Sequence, residues 1–217
     1  MAIIVYSGGL DSTVLLHLLK REGKADAALL FDYGQKHKKE LEFARKNCEK
    51  LGVPFDIADL RPITRLFGHN SLTDASAEVP DGNYDDSNMK STVVPNRNMI
   101  MISIAAARAI ALETDEVAYA AHSGDHAIYP DCRDEFADAL DGVLALCHYE
   151  PVKLLRPFVD MSKADIVALG ADLGVDFSQT WSCYKGGEIH CGTCGTCTER
   201  KEAFRLAGVP DPTVYAK

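Results

Sequence analysis

The chain has 217 residues, 47% of them apolar, which suits one α/β domain with a substantial core and a small appendage. A formal net charge of −9 argues against a duplex or tRNA footprint, which needs a basic face, but leaves room for a small local basic site. The longest apolar run, Ile100 to Ala107, is broken by Ser103 and stopped by Arg108, so no membrane span is expected. The first residues enter a strand at once, with no basic and apolar leader before it, so no export signal is expected.

Ala2-Ile3-Ile4-Val5 reads as a short buried strand and Val14 to Leu19 as a helix packed on a sheet. Between them runs Tyr6-Ser7-Gly8-Gly9-Leu10-Asp11-Ser12-Thr13, so the order is strand, glycine turn, helix. Adjacent glycines let backbone approach a ligand closely, and the free N–H groups at a helix start favour an anion. Ser7, Ser12 and Thr13 add hydroxyl donors, and Asp11 either holds a metal ion that bridges phosphates or caps the helix. The stretch predicts a phosphate or pyrophosphate cradle. It matches neither Gly-x-x-x-x-Gly-Lys-Ser/Thr nor Gly-x-Gly-x-x-Gly.

Ala27 to Phe31 reads as a second buried strand, ending in the polar and aromatic run Asp32-Tyr33-Gly34-Gln35-Lys36-His37, where open α/β sheets bind ligands. Lys38 to Leu51 is an amphipathic helix with its apolar stripe at Leu41, Ala44, Cys48 and Leu51, and Phe55 to Ala58 a third strand, with a short helix after Pro62. Residues 68–92 carry few apolar side chains and are expected to form a long loop over the sheet edge, either a lid or disordered. Met99 to Leu112 is apolar nearly all round and is expected to be a buried helix, with Arg97 and Asn98 at its mouth. Arg97 either clamps phosphate or carboxylate or is a surface arginine.

Glu116 to Ala121 is the fourth strand, and His122-Ser123-Gly124-Asp125-His126 after it is a candidate site wall. Tyr129 to Phe136 begins the next helix, with Asp131 as its expected cap and Asp134 and Glu135 in its first turn. Lys153 to Phe158 is a fifth strand, at an edge because Pro157 cannot donate to a ladder. Ser162 is the expected cap of a helix over 164–173. Lys163 opposes the dipole there, so it either meets an anion or is simply solvated. The rhythm predicts a doubly wound, mainly parallel five-stranded sheet over residues 1–178 and a small C-terminal metal-bound extension over 179–217.

The chain has seven cysteines, four of them clustered at Cys183, Cys191, Cys194 and Cys197 in glycine-rich turns. In a chain without an export signal this favours metal over disulfides and a reducing cytoplasm. Four thiolates suit a closed, structural Zn²⁺ site, one per chain, although an iron–sulfur cluster uses similar ligands and His190 is a rival ligand. Cys48 and Cys147 are expected to be buried packing residues. Residues 198–206 close the chain as a helix.

Ser-Gly-Gly-Leu-Asp-Ser at 7–12 resembles the PP-loop of the ATP pyrophosphatases. Together with Phe-Asp-Tyr-Gly-Gln-Lys-His at 31–37, Asn-Ser-Leu-Thr at 70–73, Val-Pro-Asn-Arg-Asn at 94–98, Tyr-Pro-Asp-Cys-Arg-Asp-Glu-Phe at 129–136 and the four cysteines, it resembles the QueC family, the 7-cyano-7-deazaguanine synthases of queuosine biosynthesis. The motifs occur in family order over nearly the whole chain, with only minor departures such as Leu10. The resemblance implies an ATP-dependent carbon–nitrogen ligase. Its substrates would be 7-carboxy-7-deazaguanine, ammonia and two ATP with Mg²⁺, and its product the nitrile preQ0, made by adenylating first the carboxylate and then the amide. It also implies a homodimer and no nucleic-acid or membrane partner. The loop from Tyr6 to Thr13 would bind ATP, with Asp11 on Mg²⁺. Arg97, Arg133 and Lys163 are candidates for carboxylate or phosphate, and Asp131 or Asp134 for the guanine-like N–H groups. The alternatives are a PP-loop sulfur transferase acting on tRNA with Cys132 as nucleophile, a related enzyme that adenylates another carboxylate, and a non-catalytic metal-stapled nucleotide module.

Overall fold

The computed structural model describes residues 1–83 and 87–217. Its elements are β1 (Ala2–Val5), α1 (Leu10–Arg21), β2 (Ala25–Asp32), α2 (Lys39–Leu51), β3 (Phe55–Asp59), α3 (Arg97–Ala111), β4 (Glu116–Ala118), α4 (Asp134–Leu144), β5 (Lys153–Leu155), α5 (Lys163–Asp172) and α6 (Gly195–Ala207). The strands form a five-stranded sheet in the order β3-β2-β1-β4-β5, with every pairing parallel and β5 at an edge. Successive side chains in a strand point to opposite faces. Ile3 and Leu29 therefore fall in one apolar core, with Ile102, Ala105 and Leu140, while Ile4 and Leu30 fall in the other, with Leu15, Ile166 and Phe204. Burial on both faces explains why the central strands read as continuous apolar runs.

Strand order reverses between β1 and β4, so the connections leaving their C-terminal ends diverge and open a crevice there. That crevice is the site described below. β4 ends at Ala118 rather than Ala121, which releases Tyr119 to Ala121 into the crevice wall.

Four expectations are corrected. α3 is not buried all round: Met101, Ile102, Ala105, Ala106 and Ala109 face the sheet, while Met99, Ser103 and Ala107 are exposed. Asp131 does not cap α4, whose N-cap residue is Arg133; its Oδ2 instead accepts from Asn98 N at 3.0 Å and so caps α3. Cys147 lies past the end of α4 and is exposed, whereas Cys48 is buried as expected. The described residues of 68–92 form a loop, with a 3₁₀ turn at Ser87–Thr92, that is anchored to the core rather than open. The Asn70 carboxamide accepts from Leu72 N and Thr73 N, Leu72 and Met89 are fully buried, and Thr92 Oγ1 lies 2.7 Å from Tyr129 Oη. A few large apolar side chains in a polar sequence anchor this stretch. Residues 84–86 of that expectation lie outside the described residues.

The C-terminal stretch is tied into the core. Arg200 of α6, fully buried, donates to Thr180 Oγ1 at 2.8 Å, Ser182 Oγ at 3.1 Å and Phe177 O at 3.0 Å, and Phe204 meets Phe177 edge-on at 4.9 Å.

Candidate active site

The turn from β1 into α1 forms the floor of the cleft. Gly8 adopts φ +83, and a Cβ there would sit 2.2 Å from the backbone carbonyl oxygen of Glu40, so α2 closes on the turn only because the residue is glycine. Gly9 is the N-cap residue of α1 and no side chain caps the helix, which leaves its first amides directed at the cleft. Ser7 Oγ lies 3.0 Å from Ser12 Oγ and accepts from Gly9 N at 3.1 Å. Thr13 turns the other way: its hydroxyl donates to Gly9 O at 2.7 Å, contacts Tyr6 Oη at 3.1 Å, and does not line the cleft.

Asp11 does not cap α1. Its Oδ2 meets Lys163 Nζ at 2.8 Å, and its Oδ1 is buried with no partner among the described residues. Lys163 also lies 3.1 Å from Glu199 Oε2 and 3.4 Å from His122 Nε2. Burial works against ionising Asp11, but Lys163 and then His122 outweigh it and hold the carboxyl below its usual value. Burial likewise opposes the Lys163 charge, and Asp11, Glu199 and Asp125 overcome it, so the amine stays protonated. The unfavourable lysine at the start of α5 thus meets anions, and they are the protein's own carboxylates.

Arg97 stands at the far wall. Its Nη1 lies 3.4 Å from Tyr33 Oη with the guanidinium over the Tyr33 ring at 5.8 Å, and among the described residues it forms no salt bridge. A guanidinium walled by Tyr33, Tyr129 and Tyr184, which feels the Asp131 carboxylate without a salt bridge to it among the described residues, is suited to a planar anion from outside. Phe31, Met101, Tyr119 and Trp181 supply flat apolar surface between the two walls, and the cleft's empty volume, open solvent included, is about 1120 Å³.

Of the other candidate residues, Arg133 and Asp134 are exposed and outside the cleft. Arg133 Nε donates to His126 O at 2.9 Å, and Asp134 pairs with Arg156 at 3.4 Å. Cys132 lines the cleft, but burial pushes its thiol well up, and its sulfur accepts from Asn98 Nδ2 at 3.2 Å, so it is not an activated nucleophile. Sequence reading did not single out His122, Glu199, Glu40 or Tyr184. His122 and Tyr33 stood in stretches flagged as site walls, but nothing in the sequence pairs Glu199 with Lys163.

The four cysteine sulfurs, of Cys183, Cys191, Cys194 and Cys197, lie within 4.8 Å of one another, with Cys191 Sγ 3.9 Å from Cys197 Sγ. Tetrahedral zinc with bonds of about 2.3 Å places sulfurs roughly 3.8 Å apart, so the donor set fits a metal ion. Amides of Cys191, Thr193 and Cys194 donate to the sulfurs at 3.3 to 3.4 Å, as thiolate ligands require. His190 is not a ligand: its Nε2 accepts from Ser182 N at 3.1 Å, its ring packs 4.3 Å from Trp181, and burial, with Arg200, pushes it down to about 4.

The family model described as "Queuosine biosynthesis protein QueC" matches residues 1–208. A 7-cyano-7-deazaguanine synthase of Caldicellulosiruptor saccharolyticus is 54% identical over 99% of this chain and 95% of its own length, and one of Rhizobium meliloti is 55% identical over 98% and 91%. Among solved structures, the NMN synthetase of Francisella tularensis shares the fold, with a TM-score of 0.55 at 17% identity over 99% of this chain and 79% of that one. Matched along nearly all its length by the family and its members, the chain belongs to the QueC family.

Proposed function

We propose that the protein is a 7-cyano-7-deazaguanine synthase, an ATP-dependent ligase that turns 7-carboxy-7-deazaguanine and ammonia into the nitrile. The observation that carries this is one continuous cleft with uncapped helix amides at one end and, at the other, an arginine that forms no salt bridge among the described residues. A carboxylate has no good leaving oxygen, so it attacks the α-phosphate of ATP, and pyrophosphate leaves toward the amides of α1 and the Ser7 and Ser12 hydroxyls. Ammonia displaces AMP to give the amide. The amide oxygen attacks a second ATP, and AMP leaves again as the nitrile forms. No protein nucleophile is required, and the chain contributes position and charge.

Lys163 orients Asp11 beside the phosphates, and Arg97 holds the acid at the opposite wall. The partnerless Asp11 Oδ1 fits a ligand to Mg²⁺, which when bound would offset charge on the triphosphate. The cysteines would hold Zn²⁺ in a closed structural site, and residues 179–217 form an extension whose loop supplies Tyr184 to the cleft. We read the protein as cytoplasmic and homodimeric; Leu146 and Tyr149, 86% and 96% exposed just past α4, offer apolar surface for a second copy. No helix is long and apolar enough to cross a membrane among the described residues. Incubation with the acid, ammonia and ATP, followed by mass detection, is expected to yield nitrile and AMP; no nitrile at all would contradict the reading, and product from a different acid in the same assay would point to another carboxylate.

A further inference from the structure

Between the phosphate floor and Arg97 lies a buried pair that the chemistry above leaves unused. His37, 2% exposed, lines the cleft, and its Nδ1 has no hydrogen-bond partner among the described residues. Its Nε2 lies 3.3 Å from Glu40 Oε2, and Glu40 also lines the cleft. A buried imidazole nitrogen without a partner is costly, so it has a reason to be there.

The surroundings fix this pair tightly. Glu40 Oε1 accepts from Gln35 Nε2 at 2.9 Å, and Gln35 Oε1 in turn accepts from Tyr33 N at 2.9 Å. Tyr33 is the residue whose hydroxyl meets Arg97. On the other side, the backbone carbonyl of Glu40 is the atom against which Gly8 closes. The His37 ring lies 5.3 Å from that of Tyr184, and a Cβ on Gly186 would sit 3.3 Å from His37 Cα, so the cysteine loop packs on the same residue. Glu40 and His37 therefore line the same cleft as the pyrophosphate amides and the guanidinium, and are tied to both walls.

A carboxylate beside Nε2 favours the tautomer with the proton there, which leaves the Nδ1 lone pair unprotonated. We propose that His37, oriented by Glu40, is the group that receives ammonia and takes up the protons nitrogen sheds on the way to nitrile; this rests on the synthase reading above. Four protons leave nitrogen between ammonium and nitrile. In the first half, ammonium yields a proton to Nδ1, and the freed lone pair attacks the acyl carbon. The tetrahedral adduct loses a second N–H proton and expels AMP with the C–O electron pair, giving the amide. In the second half, the amide oxygen attacks the α-phosphate and displaces pyrophosphate, and nitrogen loses a third proton to give the neutral O-adenylated imidate. The imidate yields its last N–H proton to Nδ1, and those electrons become the third C–N bond as the C–O bond to AMP breaks. Between steps the imidazolium, stabilised by Glu40, returns its proton to water.

Two half-reactions separate this role from adenylation. Acid-dependent exchange of pyrophosphate into ATP reports adenylation alone, and nitrile formation reports the nitrogen steps. In Glu40→Gln, the new carboxamide can still accept from Gln35, while its NH₂ donates to Nε2 and turns the tautomer over. The ratio of nitrile formation to exchange is expected to fall about 100-fold in this variant and in His37→Asn, in the range of general acid–base catalysis. An unchanged ratio in either folded variant overturns the proposal. The wild-type enzyme gives an independent reading: nitrogen-15 spectra of labelled histidine should show His37 protonated at Nε2, and protonation at Nδ1 would contradict it. Absence of exchange in the wild type would instead sink the synthase reading itself.

Discussion

At Gly8 the backbone conformation and the lack of room for a side chain coincide. An alanine there must take φ +83 and push the Glu40 carbonyl aside from 2.2 Å, so Gly8→Ala is expected to cost roughly 2–4 kcal/mol in urea unfolding. Arg97 acts through charge. Its loss should raise KM for the acid about 10- to 100-fold with a smaller effect on KM for ATP, as for one charged hydrogen-bonding group. Asp11 supplies the pH signature. Its carboxyl is held below the usual 3.8 in the fold, so its contribution to stability is present above that value and is lost as pH falls through the folded value. The stability advantage of wild type over Asp11→Asn in urea, present near about pH 7, should therefore shrink near about pH 3. The glycine turn and the cysteines were legible in the sequence because their chemistry is local. The partners of Asp11, Lys163 and Asp131 were not, because they lie across the fold: Asp11 with Lys163, Lys163 with Glu199, and Asp131 on the end of α3 rather than of α4.

Among elements, the loop from Cys183 to Cys197 and α6 act as a brace. The loop presses Gly186 against His37 and puts Tyr184 in the cleft, while α6 carries Glu199 to Lys163. Removing the metal should therefore lower stability and activity together. Cys194→Ser, or a strong chelator on the wild type, is expected to lower Tm by about 10 °C, at roughly 3 °C per kcal/mol for a chain of this size. Calorimetry beside the turnover assay checks it, and full activity in the metal-free protein would contradict it. The strands and helices were readable from apolar periodicity. The stretch 68–92 was not, because Leu72 and Met89 bury themselves from an otherwise polar segment with no repeating pattern.

For the whole molecule, the parallel sheet with its reversal between β1 and β4 decides where chemistry happens, and the appended cysteine loop closes one side of that crevice. The sequence showed the alternation of strands and helices. The strand order β3-β2-β1-β4-β5, and with it the meeting of Ser7, Asp11, Tyr33, Glu40, Arg97 and Lys163 in one cleft, emerged only from the fold. The acidic net charge and the protonated, buried Cys132 fit small-molecule ligation better than sulfur transfer to tRNA. At the centre of this account stands one phosphate cradle used for two adenylations on the same carbon. Quantifying AMP against nitrile, with either the acid or its amide as starting material, tests it directly. Two AMP per nitrile from the acid and one from the amide are expected, whereas a single AMP per nitrile from the acid, or an amide that is not consumed, would contradict it.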